Sequence, residues 1–225
     1  TYLPNKLFKY DKEDAKTIRF THCFDDIFLT QYINKSNDSV DYQYTFINKT
    51  GRIIGNYEPI NYPADYPQGV RKSLAFAEKI FYNGKIYTAF KRQDKILCFN
   101  FEKKESIFEI RGPRIEFPEI EIQNGYWIPE KIPAPLAYNS IAVSNKYIYT
   151  INTEKFGTIH EYIKRESDYL WVFGLNGEPV KRIKLNTPVF KIYFDKYTNQ
   201  LICMAESQNI YNSIGIIRIE LNKVE

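Results

Sequence analysis

Short apolar runs separated by turn residues recur along the whole chain. The runs are rich in Tyr, Phe and Ile and are bounded by Gly, Asn, Asp or Ser, which is a pattern typical of β-strands. One run recurs with similar residues at intervals of 53 to 62 positions. Its copies are residues 26–29, 85–88, 147–150 and 200–203. A period of this size, with several strands in each unit, indicates an array of repeated units.

Each copy is flanked by further predicted strands. A tight turn and another apolar run precede it, at 21–24, 73–81, 140–143 and 190–194. Three copies are followed by a second hairpin, at 42–54, 95–110 and 169–185. The last of these turns at Asn176-Gly177, which favours a type I′ turn because both central residues of that turn have positive φ. Each unit is therefore predicted to hold four antiparallel strands, named a, b, c and d.

Four-stranded antiparallel units in series are typical of the blades of a β-propeller. Both faces of an inner blade are buried, so its strands should be near-continuous apolar runs, as at 97–99 and 170–173. A pair of β-sandwiches is the alternative, but it needs a polar outer face and does not explain the recurrence. We predict an all-β propeller, with residues 1–225 as a single domain. The predicted blades are roughly 21–60, 71–112, 138–187 and 189–221.

The two ends of the array leave the blade number open. Residues 6–20 read as strands c and d of an earlier blade, at 7–10 and 15–20, while the last unit has little strand d. An N-terminal strand could complete the last blade and close a small ring. Alternatively, the chain is the C-terminal part of a larger ring. We favour the larger ring, because the first residues resemble strands from the middle of a blade and no basic-then-apolar leader follows Thr1.

Composition removes several other classes of protein. With 44% hydrophobic residues and a net charge of +4, the chain is not intrinsically disordered, and no apolar run approaches the ~18 residues of a membrane span. The scattered positive charge does not favour nucleic acid. The chain has three widely separated cysteines and two histidines, which provide neither a disulfide framework nor a zinc site. We therefore expect no cofactor and no metal.

The predicted connections differ between the two ends of the blades. In such a unit the a–b and c–d turns lie at one end, and the b–c and d–a connections lie at the other. The first set is short, whereas connections of the second set run over 55–72, 111–138 and 153–168. Long loops are uncommon and usually functional or disordered. We therefore expect ligand binding at the end with the long connections.

Aromatic and charged residues on these loops suit a peptide, a protein partner or a glycan, since rings stack while charges orient the ligand. The other interpretation is that the rings pin the loops and the charges are solvated. The predicted ligand-binding residues are Tyr66, Arg71, Arg111, Arg114, Tyr126, Trp127, His160 and Tyr162.

The sequence contains no nucleophile elbow, phosphate-binding loop or metalloprotease motif. Glu119 and Glu121 would share one side of an extended segment, and two carboxylates could serve a glycosidase. Alternating Glu and Ile is equally typical of a half-exposed strand. The leading hypothesis is a non-catalytic binding domain. The alternatives are a carbohydrate-active propeller hydrolase or lyase using Glu119 and Glu121, and a pure assembly scaffold.

Two stretches, 171–177 and 110–117, resemble the TolB-like six-bladed propellers, which are abundant as lipoproteins of Bacteroidetes. Members often carry a Gly-Pro-(Gly)-Glu-Phe stretch between blades, and residues 112–117 are similar to it. The resemblance implies a six-bladed ring, export to the periplasm or cell surface, a lipid anchor upstream of this chain, and a binding or scaffolding role.

Overall fold

The computed structural model describes residues 19–24, 26–33, 42–50, 52–57, 66, 74–75, 77–112, 122–123, 126–127, 134–157, 166–206 and 214–221. Nearly all of them lie in strands or the tight turns between strands. The chain divides into two compact units, residues 1–71 and residues 72–225. No helix in these ranges is long and apolar enough to cross a membrane.

The first unit contains one antiparallel sheet whose four strands follow chain order. Its strands are β1 (Arg19–Phe24), β2 (Ile27–Ile33), β3 (Tyr42–Asn48) and β4 (Ile53–Tyr57). Leu29, Phe46 and Ile47 are buried. Arg19 and Phe20, which we predicted to end an earlier blade, belong to β1; the rest of that predicted blade lies outside the described residues.

The second unit contains two further four-stranded sheets, one three-stranded sheet and a short hairpin, all antiparallel. The first sheet has β5 (Ala77–Tyr82), β6 (Lys85–Phe90), β7 (Lys95–Asn100) and β8 (Glu105–Arg111). The short hairpin has β9 (Ile122–Gln123) and β10 (Tyr126–Trp127). The second sheet has β11 (Ala134–Val143), β12 (Tyr147–Gly157), β13 (Ser167–Gly174) and β14 (Pro179–Val189). The third has β15 (Lys191–Asp195), β16 (Gln200–Glu206) and β17 (Ile214–Glu220). The predicted four-stranded antiparallel units are confirmed.

The β11–β14 sheet is buried on both faces. Successive residues of a strand point to opposite faces, and on β13 Leu170 and Val172 belong to a core shared with the β15–β17 sheet. Phe173 belongs to a second core shared with the β5–β8 sheet, and Trp171 packs against that core. Two buried faces explain why the strand is a continuous apolar run rather than an alternating one.

The innermost strands of the three sheets lie side by side. β11 contacts both β5 and β15. The Asn139 side-chain amide donates a hydrogen bond to the Phe190 carbonyl (2.7 Å), and the Ile192 amide donates one to the Ser140 hydroxyl (3.1 Å). Polar side chains of β11 thus bind the start of β15 to the β11–β14 sheet.

One turn differs from its prediction. Asn83 and Gly84 both have positive φ (48° and 69°), but at Asn176-Gly177 only Gly177 does (90°), so the predicted type I′ turn is wrong. The Gly177 amide donates to the Gly174 carbonyl (2.9 Å), and the Gly174 amide donates to the Glu178 carbonyl (2.8 Å). This is a three-residue loop with a bulge at Gly177, the second common way to join two twisted strands.

All three predicted long connections are partly strand, and β4 extends into the first of them as far as Tyr57. Within 111–138, β9 and β10 form a hairpin, and β11 begins at Ala134. Within 153–168, β12 continues to Gly157, where it pairs with Ala134. The β11–β12 hairpin therefore extends further than its apolar residues indicate.

Candidate functional site

Strand order defines two ends of each sheet in the second unit. The β6–β7 turn and the starts of β5, β11 and β15 lie at one end, which we call the loop end because the b–c and d–a connections emerge there. The a–b and c–d turns lie at the opposite end, which we call the hairpin end. A buried polar turn and an ion-pair cluster, neither of which the sequence led us to select, lie at the loop end.

The β6–β7 turn, residues 91–94, is buried although it is polar. The exposed fraction is 4% for Arg92, 0% for Gln93 and 6% for Asp94. Residues of these types are seldom buried unless they are paired. The turn is therefore a structural connection inside the loop end rather than a solvated loop.

Hydrogen bonds attach this turn to four separate segments. They run from the Ala137 amide to the Lys91 carbonyl (3.0 Å), from Gln93 Nε2 to the Leu74 carbonyl (2.8 Å), from the Gly112 amide to the Asp94 carbonyl (2.7 Å) and from Asn152 Nδ2 to Asp94 Oδ1 (3.1 Å). Two of the donors or acceptors, Leu74 and Gly112, lie on connections between sheets. The turn thus fixes the start of one connection and the end of another.

Gly112 approaches the Asp94 carboxylate too closely for a side chain. A Cβ built on Gly112 would lie 1.9 Å from Asp94 Oδ2, and Asp94 is buried and cannot move freely aside. Gly112 opens the stretch that resembles the inter-blade motif, so the close approach gives a physical reason for glycine there.

An ion-pair cluster lies beside this turn. The Lys91 ammonium is 2.6 Å from Glu78 Oε1, and the Lys191 ammonium is 2.5 Å from Glu78 Oε2. Burial alone would raise the pKa of Glu78, but the hydrogen bonds and charges of Lys191 and Lys91 outweigh it and hold the pKa below its ordinary value. Glu78 is therefore ionised at neutral pH and orients both lysines.

Lys191 also contacts an exposed aromatic ring. Its Nζ lies 5.8 Å from the centroid of Tyr193, within reach of a cation–π interaction. The Lys191 side chain is 26% exposed and Tyr193 is 51% exposed. We call Glu78, Lys91, Lys191 and Tyr193 the rim patch; it offers solvent an oriented ammonium beside a ring.

Lys79 has a different environment from its neighbour Glu78, since adjacent strand residues face opposite sides. Lys79 is 4% exposed. Burial lowers its pKa to about 7, Glu78 partly offsets this, and Lys91 adds to it. Lys79 is thus a buried amine that titrates near neutral pH.

Only part of the predicted ligand-binding set can be placed. Arg111 ends β8 with its side chain 65% exposed and contacts Glu109, which is also 3.4 Å from Lys95. Tyr126 and Trp127 form β10, paired with β9, and Tyr66 is half-buried. The residues outside the described ranges are Arg71, Arg114, Glu119, Glu121, His160 and Tyr162.

The sequence did not single out the rim patch or the buried turn. Five consecutive polar residues, 91–95, between two apolar strands read as an exposed turn. One local feature of the sequence indicates a polar cluster at this place. The pair Glu78-Lys79 lies inside an otherwise apolar strand, where charged side chains need partners. Those partners are up to 113 positions away in the chain.

Comparison with known proteins agrees with this architecture. The sheets define a β-propeller. A family model described as TolB-like 6-blade propeller-like matches residues 5–196, and the chain belongs to that family. The fold prediction and the family resemblance are both confirmed.

Solved structures of other proteins show the same fold. Streptogramin B lyase is 17% identical with a TM-score of 0.50, and the match covers 93% of this chain and 54% of the lyase. Hydrazine synthase from Kuenenia stuttgartiensis is 13% identical with a TM-score of 0.50, over 96% of this chain and 50% of the other. The chain thus spans about half the length of either. No curated protein sequence matches it.

Proposed function

We propose that this propeller domain binds a peptide or protein partner at the loop end, and that the rim patch receives a carboxylate of that partner. The observation that carries the proposal is the partly exposed Lys191 side chain, whose ammonium pairs with Glu78 and lies beside the exposed Tyr193 ring.

Position and solvation favour an acidic ligand. The Lys191 side chain is about three-quarters covered, so a second carboxylate that reaches its ammonium gains more than at a fully exposed lysine. Glu78 fixes the position of Lys191, which lowers the entropy lost when a ligand is bound. Tyr193 supplies an adjacent ring for an apolar side chain of the same ligand.

The two described thiols are not activated nucleophiles. Burial raises the pKa of both Cys98 and Cys203 to about 11, which keeps them protonated. Among the described residues no group of three or more Cys, His, Asp or Glu side chains could hold a metal.

A peptide array rich in Asp and Glu tests the rim patch directly. We expect Lys191→Gln and Tyr193→Ser to reduce binding of the best acidic peptides by about tenfold, in line with the loss of one charged hydrogen bond. A matched control exists in the β15–β16 turn, where Lys196 lies 5.1 Å from the ring of the 87% exposed Tyr197. Lys196→Gln and Tyr197→Ser should leave binding unchanged. Equal losses in both pairs, or a preference for glycans over peptides, would contradict the proposal.

The β9–β10 hairpin provides a second test of the loop connections. If Tyr126 and Trp127 contact the ligand, Tyr126→Ala and Trp127→Ala lower the affinity for an array peptide while the melting temperature is nearly unchanged. A matching fall in melting temperature would show instead that the two rings pack the connection against the sheet.

We further propose that the domain functions outside the cytoplasm, in the periplasm or at the cell surface, with a lipid anchor upstream of this chain. The support is membership of the TolB-like family. Fractionation of cells that express the native gene, with detection of this domain, tests the location. Recovery in the cytoplasmic fraction would overturn it.

A further inference from the structure

A cleft of about 540 Å³ lies between the β5–β8 sheet and the β11–β14 sheet. Clefts of this size commonly hold small ligands. Toward the loop end the two sheets are joined by the hydrogen bond from Asn152 Nδ2 to Asp94 Oδ1 (3.1 Å). Toward the hairpin end Gly177 lies so close to the Phe108 ring that a Cβ built on it would be 2.8 Å from Phe108 Cδ2. The cleft is therefore a fixed gap between two packed sheets.

The accessible wall of the cleft is mainly apolar. Trp171 and Phe173 lie on the same face of β13 because they are two residues apart, and Tyr138 of β11 adds a third ring. Ile110 of β8 and Pro179, the first residue of β14, complete the apolar part. Aromatic rings pack favourably against other rings, in edge-to-face or offset arrangements. The wall thus favours an aromatic ring over a polar group of the same size.

The charged residues of the wall are two acids and two arginines, so their formal charges cancel. Both acids already have partners. Glu109 pairs with Arg111, and its carboxylate is 3.4 Å from the Lys95 ammonium. Asp94 accepts the hydrogen bond from Asn152. A ligand cation would have to displace one of these partners.

Arg182, the second arginine, is engaged by rings. Its guanidinium carbon lies 3.5 Å from the centroid of Tyr169 and 5.1 Å from that of Trp171, within the range of a cation–π interaction. A ligand cation on Trp171 would lie beside this positive charge and be repelled. A ligand anion would have to take an arginine from its present contacts. A charged ligand of either sign would therefore lose its hydration in the cleft without an equal gain.

We propose that this cleft binds an uncharged aromatic ring, packed against Trp171 and Phe173. The ring belongs either to a small neutral molecule or to an aromatic side chain within a polypeptide. A sugar fits less well, because its hydroxyls would meet a mainly apolar wall and lose their hydrogen bonds to water. This site is separate from the rim patch, and the inference does not depend on the proposed function.

Trp171 is a direct reporter of binding. The chain has two tryptophans, so Trp127→Phe leaves Trp171 as the only indole. In that protein we expect N-acetyl-phenylalaninamide to change the Trp171 emission saturably. The anion N-acetyl-phenylalanine and the cation phenethylamine should each bind about tenfold more weakly, because the cleft offers no unpaired countercharge. N-acetyl-leucinamide, which lacks the ring, and methyl glucoside should also bind more weakly than the aromatic amide.

A blocked pentapeptide of Ala with Phe at its centre distinguishes the two sources of the ring. Binding tighter than that of N-acetyl-phenylalaninamide indicates a polypeptide ligand, and weaker binding indicates a small molecule.

Filling the cleft provides an independent test with a matched control. Pro179 is exposed and lines the cleft, whereas its neighbour Val180 is exposed but lies outside the wall. Pro179→Phe should place a ring in the cleft and weaken binding of N-acetyl-phenylalaninamide by about tenfold, a difference of roughly 1.4 kcal/mol. Val180→Phe should leave the affinity unchanged. Melting temperatures of both variants check that they fold, and the ligand series decides the matter if Pro179→Phe does not.

Three results would overturn the inference. They are an emission that does not saturate with the aromatic amide, an equal affinity for the anion, the cation or methyl glucoside, and an equal effect of folded Pro179→Phe and Val180→Phe. Lys191→Gln should change nothing here, so failure of this site and failure of the rim patch are distinguishable.

Discussion

The two ends of the sheets in the second unit are built from different chemistry. At the hairpin end, short turns place Asn83, Lys104 and Asn199 at positive φ, and these side chains remain in solvent. At the loop end, the polar turn 91–94 is buried and bound to distant segments. Turn geometry needs only local residues, whereas a buried polar turn needs partners from elsewhere in the fold. Substitutions should therefore cost more at the loop end.

The largest effect is expected for Gly112→Ala. The new methyl group would overlap the buried Asp94 carboxylate, and overpacking of this kind costs about 3 kcal/mol. Gly84→Ala is the control, since Gly84 has open space around it and only the cost of its positive φ, about 1 kcal/mol. Urea unfolding measures both. If Gly84→Ala were the more damaging of the two, the difference between the ends would not hold.

A smaller loss is expected for Asn152→Ala. Asp94 would lose the amide that donates to its carboxylate inside the buried turn, and a buried acceptor without its donor costs about 2 kcal/mol. The free energy of unfolding should fall by that amount. Asn152→Asp, which places a second carboxylate beside Asp94, should be worse still. Unchanged stability in Asn152→Ala would show that the turn does not depend on this bond.

Lys79, which is buried in β5, should make the free energy of unfolding depend on pH. Burial lowers its pKa in the folded chain to about 7, so above that pH the unfolded chain holds a proton that the folded chain has released. Stability of the wild type relative to Lys79→Met should therefore rise with pH, by at most about 1.4 kcal/mol per unit. Urea unfolding between about pH 6 and 8.5, below the range where the buried thiols titrate, measures it. A difference that is constant across that range would mean that Lys79 is charged throughout.

The smallest effect is expected in the first unit, for the exposed pair of Lys49 and Asp26. Their atoms are 2.8 Å apart, but both side chains are about two-thirds exposed, and such pairs are screened by water and salt. Asp26→Asn should leave the melting temperature unchanged within error. A clear fall would show that an exposed turn can matter as much as a buried one.

The sequence predicted what depends on local pattern. The strand hairpins, the four-stranded units and the propeller class follow from apolar runs and turn residues. It did not predict the burial of Arg92, Gln93 and Asp94, because their partners Leu74, Gly112 and Asn152 are distant in the chain. The predicted type I′ turn at Asn176-Gly177 was wrong because this dipeptide fits two kinds of hairpin loop. The loop here has three residues with a bulge at Gly177, rather than two.

The charged rim patch could not be predicted for the same reason. Glu78 and Lys191 are 113 positions apart, and they meet only because β5, β11 and β15 lie side by side. A search for long loops selected the loop end of the sheets but not these residues. The predicted aromatic set on the loops stays a prediction.

The most direct test of the central claim is calorimetric titration of the best acidic array peptide into the wild type and Lys191→Gln at low and high salt. We expect the wild type to bind about tenfold more tightly at low salt, and this advantage to shrink as salt screens the partly exposed charge of Lys191. Equal affinities of the two proteins at low salt would contradict a carboxylate-binding role for the rim patch.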